Sequence, residues 1–162
     1  MPEQEYTPGG WGYVGGKVYK LPGERLPYGS DRDILGTGYD ALYETQRVGL
    51  SQFRLDVPDG EYEVTLHFAE LEAAPAAEQL VYNLAGNSAA AGATPKAGRS
   101  FSVLANGVAA LPNLSTATTL PALQAVSYKV PVSARGGRGI ILDFQPQTGE
   151  TILNGLQVKR LN

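Results

Sequence analysis

Apolar and polar residues alternate with a period of two along most of this chain. In EYEVTLHFAEL (61–71), Tyr62, Val64, Leu66 and Phe68 fall on one face and Glu61, Glu63, Thr65 and His67 on the other, the pattern of a half-buried strand. FRLDV (53–57) repeats it with Phe53, Leu55 and Val57 inward. Between the two, Pro58-Asp59-Gly60 has turn chemistry, because proline presets φ and glycine accepts positive φ, so the pair reads as a hairpin. RSFSVLANG with Phe101, Val103 and Ala105, LQAVSYKVPV, GIILDFQP with Ile140, Leu142 and Phe144, and TILNGLQVKRL with Ile152, Leu156 and Val158 behave alike. Asn106-Gly107, Gly136-Gly137 and Thr148-Gly149-Glu150 punctuate them as turns. ALYETQRVG (41–49) reads as one more amphipathic strand, with Leu42, Glu44, Gln46 and Val48 on one face and Tyr43, Thr45 and Arg47 on the other. Short strands, regular turns and the lack of a long amphipathic pattern predict an all-β sandwich.

Residues 73–98 break the alternation. They are rich in alanine and glycine, with Glu78 and Lys96 the only charges. Ala76 to Leu84 suits a short helix, Pro75 standing at its first turn, and the remainder reads as a loop longer than the roughly 12–15 residues usual inside a compact domain. The expectation is a functional or mobile surface insertion over one end of the sandwich.

Composition narrows the class. At 162 residues the chain is long enough to bury about 70% of the surface its unfolded form exposes, so residues 1–162 are expected to form one domain without a disulfide or metal staple. A net charge of −3 with 18% charged residues lacks the basic footprint of a nucleic-acid binder. Cysteine is absent, which removes thiolate zinc sites and a cysteine nucleophile. No apolar run approaches the roughly 18 residues of a membrane span. Met1-Pro2-Glu3-Gln4 does not look like a signal peptide, so the sequence reads either as cytoplasmic or as one domain of a longer secreted protein.

Catalytic chemistry is sparse, and no catalytic residue, metal site or cofactor is expected. His67 is the only histidine, and a lone strand histidine beside Glu70 reads as a surface or hydrogen-bonded residue. Asp31, Asp33 and Asp40 offer oxygen ligands but lack an EF-hand frame, so a turn capped by aspartates is the simpler reading. GYVGGKVYK is glycine-rich, yet no helix follows to receive a phosphate. The aromatics say more. Nine tyrosines accompany four phenylalanines and one tryptophan, and Trp11, Tyr13, Tyr19, Tyr28 and Tyr39 crowd the first quarter among glycines and prolines. Such rings offer an apolar face to a sugar's C–H face and a polar edge to its hydroxyls. The competing reading is that they cover an edge of the sandwich.

YGSDRDILGTGYDALYETQRVG, then FRLDVPDGEYEVTLHFAEL, GRSFSVLANG and TGETILNGLQV, occur in an order that resembles the malectin-like carbohydrate-binding module family. The resemblance is greatest to the version appended to bacterial β-galactosidases and related glycoside hydrolases, and it runs from about residue 11 to 160. It implies a jelly-roll-like β-sandwich of two antiparallel sheets, and a non-catalytic module that binds oligo- or polysaccharide through loop aromatics beside the catalytic domain of a parent glycosidase. It also implies an extracellular or periplasmic setting. Tyr28, in the Tyr-Gly pair ahead of L-Y-x-T-x-R, inherits a stacking role. Val48 stands where the family has its next ligand tyrosine, Glu72-Ala73 stand where it has a Tyr-Phe pair, and Glu150 keeps the carboxylate near the last strand. Trp11, Tyr13, Tyr39 and Tyr82 are the rings available to replace the missing ones. Arg47 either pairs with Asp40 or Glu70 to hold the loops or donates to vicinal hydroxyls. Glu70 is a loop anchor first and a hydroxyl acceptor second.

Overall fold

The computed structural model describes residues 2–20, 29–30, 32–72 and 98–161. The helix expected within 76–84 lies outside them, as do Tyr28 and Tyr82. Among the described residues nine strands and one short helix follow in order: β1 Trp11–Val18, α1 Asp40–Tyr43, β2 Arg47–Leu55, β3 Gly60–Phe68, β4 Ser100–Ala105, β5 Val108–Ser115, β6 Val126–Ala134, β7 Ile140–Thr148, β8 Ile152–Leu153 and β9 Gly155–Arg160. One antiparallel sheet runs β1-β2-β7-β4-β5, with β8 also paired to β2, and the other runs β6-β3-β9. Their facing surfaces form the core of an all-β sandwich.

The alternation in the sequence is the cause of that core. Tyr62, Val64, Leu66 and Phe68 of β3 are buried, and so are Phe101, Val103 and Ala105 of β4 and Ile140, Leu142 and Phe144 of β7. Phe101 joins the two layers, its ring centroid 5.9 Å from Phe68 and 6.2 Å from Phe144. Each such side chain contributes about 1.5–3 kcal/mol by leaving water. The Asn106-Gly107 turn has φ of 47° and 81°, the left-handed pair that a tight two-residue hairpin needs. Asn106 also binds outward, donating to the carbonyls of Ser133 and Gly139 and accepting from the Ile141 N–H.

Three expectations change. The first is the hairpin over 53–68: β2 and β3 are strands, but they belong to opposite sheets, so the link between them crosses the sandwich. Asp59 in that link accepts the backbone N–H groups of Gly136 and Gly137, each at 2.9 Å, pinning the β6–β7 connection, which also crosses between sheets. Those two bonds hold the Asp59 carboxyl below its ordinary pKa. The second is the strand over 41–49: Asp40–Tyr43 is a helical turn, and the strand begins only at Arg47. The third is the single strand over 151–161, which breaks at Asn154 into β8 on one sheet and β9 on the other.

Asn154 explains the last two changes together. Its side-chain amide donates to the Tyr43 carbonyl at 2.7 Å and the Thr45 carbonyl at 3.0 Å, while its oxygen accepts the Ala69 N–H at 2.9 Å and the Gln46 amide at 3.1 Å. Carbonyls that a strand would offer to a neighbour are thus taken by one buried side chain, and they include an orphan at the end of α1. Gln46 continues the network to the Ala69 carbonyl at 2.7 Å.

The free edge of β1 is covered at Tyr13. Residues 4–6 lie against it, with the Tyr6 N–H on the Tyr13 carbonyl at 2.9 Å and the Tyr13 N–H on the Gln4 carbonyl at 2.8 Å. Gly12 makes this approach possible, since a Cβ there would stand 2.4 Å from the Glu5 backbone.

Asn154→Ala leaves two donors and two acceptors unsatisfied. We expect a loss of about 3 kcal/mol or more, a fall in Tm of roughly 6–12 °C, measurable by thermal and urea unfolding.

Candidate carbohydrate-binding site

Two clusters gather the residues that sequence singles out. The first is a groove of about 350 Å³ on the open side of the sandwich, where Trp11, Tyr13 and Phe53 face Leu42, Thr45 and Leu156. Trp11 and Tyr13 share the inward face of β1, opposite Leu55 and Phe53 of β2. They differ in exposure. Trp11 is 39% exposed and leans on Phe53 at 6.1 Å, tilted by 33°, so one flat apolar surface remains on the rim. Tyr13 is only 4% exposed and meets Phe53 edge-on at 5.3 Å. Expected as an open loop ring, it is a core strand residue that closes the groove floor, and burial raises its hydroxyl to a pKa of about 12 against the opposing pull of Arg47. Leu42 comes from the helical turn that Asn154 holds, and the Thr45 hydroxyl makes no hydrogen bond to the described residues. Tyr39, 80% exposed, stands just ahead of that turn, and its carbonyl accepts the Leu42 N–H at 3.0 Å.

Arg47 lies behind this floor, its guanidinium 5.5 Å from the Tyr13 ring centre. The partner anticipated from sequence was Asp40 or Glu70. Instead Arg47 pairs with Glu5 and donates to the Gly15 carbonyl at 3.0 Å and the Pro2 carbonyl at 3.2 Å. With its donors so engaged and its side chain buried, it fastens the N-terminal segment. Asp40 instead opens α1, and Glu70 pairs with Arg99.

The second cluster is buried and ionic. Glu70, 3% exposed, pairs with Arg99, 7% exposed. Arg99 also reaches Glu72 at 3.3 Å and the Glu150 carbonyl at 2.6 Å. Glu70 in turn accepts the Glu72 N–H at 3.0 Å. Glu70 is therefore an anchor joining the chain on either side of 73–97, and Glu150 enters through its backbone while its side chain is exposed beside Gly49. Val48, at the position where the resemblance in sequence implies a ligand tyrosine, is 2% exposed and part of the core.

His67 connects the region to α1. Its Nδ1 and the Tyr43 hydroxyl are hydrogen bonded at 2.8 Å, and burial lowers its pKa while the Gln157 side chain opposes that shift. Among the described residues no group of three or more His, Cys, Asp or Glu is placed to hold a metal ion. Asp31 lies outside them.

Sequence reading did not find Phe53, Leu42 or Leu156 as groove residues, because alternation marks them only as core. Arg99 and Asn154 carried a signal that went unused: each is a polar residue next to an apolar run that ends up buried.

Residues 15–151 match the family described as the malectin domain. The chain belongs to that family. No curated protein matches it. The domain is similar to a β-glucuronidase from Bacteroides uniformis, with 22% identity and a TM-score of 0.73 over 98% of this chain and 15% of that one. It also resembles the ANX2 ectodomain from Arabidopsis thaliana at 16% identity and a TM-score of 0.57, covering 93% of this chain and 42% of the other. The plant receptor-like kinase FER matches at 18% identity and a TM-score of 0.56 over 91% and 40%. These likenesses share the fold. This chain thus spans 15% of the length of the glucuronidase chain and about two fifths of the two plant chains.

Arg99→Met leaves Glu70 charged and buried, with an expected cost of about 3–5 kcal/mol; adding Glu70→Leu should recover part of it, which chemical denaturation of the three variants will show. A pH effect is also expected. Because the folded pKa of His67 lies below its unfolded value near 6.5, the unfolded chain takes up that proton first and stability falls as pH drops through that value. His67→Gln should lessen the fall in Tm between about pH 7 and pH 5; parallel curves for the two proteins would assign it to other groups.

Proposed function

We propose that this malectin domain is a non-catalytic carbohydrate-binding module that brings a parent glycoside hydrolase to oligo- or polysaccharide, in an extracellular or periplasmic setting. The observation carrying this reading is the Trp11 rim. A partly exposed indole lies beside a groove with an aromatic floor, an aliphatic wall and the Thr45 hydroxyl. That is an apolar platform with few polar groups, the composition that suits the C–H face of a pyranose. The aromatics at Tyr28, Tyr39 and Tyr82 and the carboxylate of Glu150 are proposed as further contacts. Attachment to a catalytic domain raises the enzyme's effective concentration at its polymer, so modest affinity suffices. The domain's small share of the Bacteroides glucuronidase agrees with a part carried inside a larger enzyme. Sparse acid–base chemistry supports a non-catalytic role.

A second reading is a structural module that contacts neighbouring domains and no longer binds sugar. It is favoured by Tyr13, Arg47 and Glu70, three residues of contact type that are engaged in the frame.

Affinity gels and a glycan array with the intact chain, Trp11→Ala and Tyr28→Ala separate the two. Carbohydrate binding predicts retardation by at least one polysaccharide and a loss of at least tenfold, about 1.4 kcal/mol, in at least one variant. Folded protein with no binding across the array supports the structural reading.

A further inference from the structure

The outward face of β2 carries a second concavity, distinct from the groove. Gln52 and Asp143 are cross-strand neighbours on β2 and β7, and they point away from the core because Phe53 and Leu142 point into it. With Ile141, and with Ser133, Arg135 and Arg138 around the β6–β7 connection, they line a basin of about 470 Å³. Most of its polar groups are already spent. The Asn106 amide holds three backbone groups. Arg135 pairs with Glu61. Gln52 donates to one oxygen of Asp143 and accepts from Arg54 at 2.9 Å. Two groups are left over: the Arg138 side chain, which makes no hydrogen bond or ion pair to the described residues, and the second oxygen of Asp143.

A donor fork and a carboxylate oxygen on one small basin match adjacent hydroxyls, one accepting and one donating. Ile141, half-buried beside them, offers an apolar contact for ring C–H groups. Arg135 is balanced by Glu61 and Arg138 by Asp143, so a neutral ligand suits the basin better than an anionic one, whose charge would face Asp143. We propose that this basin is a second saccharide subsite, taking a neutral pyranose through two vicinal hydroxyls held by Arg138 and Asp143. It does not depend on the Trp11 groove, which opens on the other face of the same strand.

The test is an amide NMR titration of the full chain with methyl β-glucopyranoside and, separately, with glucuronate. The expected result is saturable shifts at Gly107, Arg138 and Ile141 with the neutral glycoside, unchanged in Trp11→Ala and weakened at least tenfold in both Arg138→Gln and Asp143→Asn. The variants keep their spectra elsewhere if folded, and the conservative Asp143→Asn retains the contact to Gln52. Shifts that survive in either variant, tighter binding of glucuronate than of the neutral glycoside, or no basin shifts with the glycoside would overturn the proposal. Loss of groove shifts alone in Trp11→Ala would bear on the groove and not on the basin.

Discussion

One buried carboxamide organises this domain. Asn154 sits where the chain passes from one sheet to the other, and each polar atom of its side chain bonds to two separate partners. Those partners come from the helical turn, the segment leading into β2 and the end of β3, regions remote in sequence that the hydrophobic effect alone would bring together without fixing their register. A buried polar network holds position only when every member is satisfied, and this one nearly closes, with Gln46 Oε1 the exception among its side-chain atoms. The wall of the groove follows from it, because Asn154 grips the carbonyl of Thr45 itself and that of Tyr43, next to Leu42.

How much of this was legible follows from what alternation encodes. A period of two distinguishes inside from outside, and it identified Tyr62, Val64, Leu66, Phe68, Phe101, Val103, Leu142 and Phe144 as core. It carries no information on which sheet a strand joins. Phe53 and Tyr62 therefore read as neighbours in a hairpin although they lie in opposite layers, and a turn sequence such as Pro-Asp-Gly serves a crossing as well as a hairpin. The turn at Asp40–Tyr43 was invisible for another reason: tertiary hydrogen bonds from a residue more than a hundred positions away decide it, against a local pattern that fits a strand. Arg47 and Glu70 were each recognised as fit for an ion pair, but their actual partners, Glu5 and Arg99, are set by topology.

The motifs that reveal the family have mostly structural duties. The arginine of L-Y-x-T-x-R ties down the N-terminal segment, the glutamate of F-A-E meets Arg99, and the asparagine of I-L-N-G joins the layers. In this chain the signature thus reports the frame that holds the two sheets and the N-terminal segment together.

The short N-terminal segment beside β1 has a consequence for behaviour in crowds. Unpaired strand edges invite other copies to add on and begin intermolecular sheets. Here Gln4 and Tyr6 occupy that edge through Tyr13, β6 at another border interrupts its own edge with Pro131, and β9 carries Lys159 and Arg160. Copies packed side by side meet edge to edge far more often than in dilute solution, and these three guarded borders favour dispersed copies over fibrous ones.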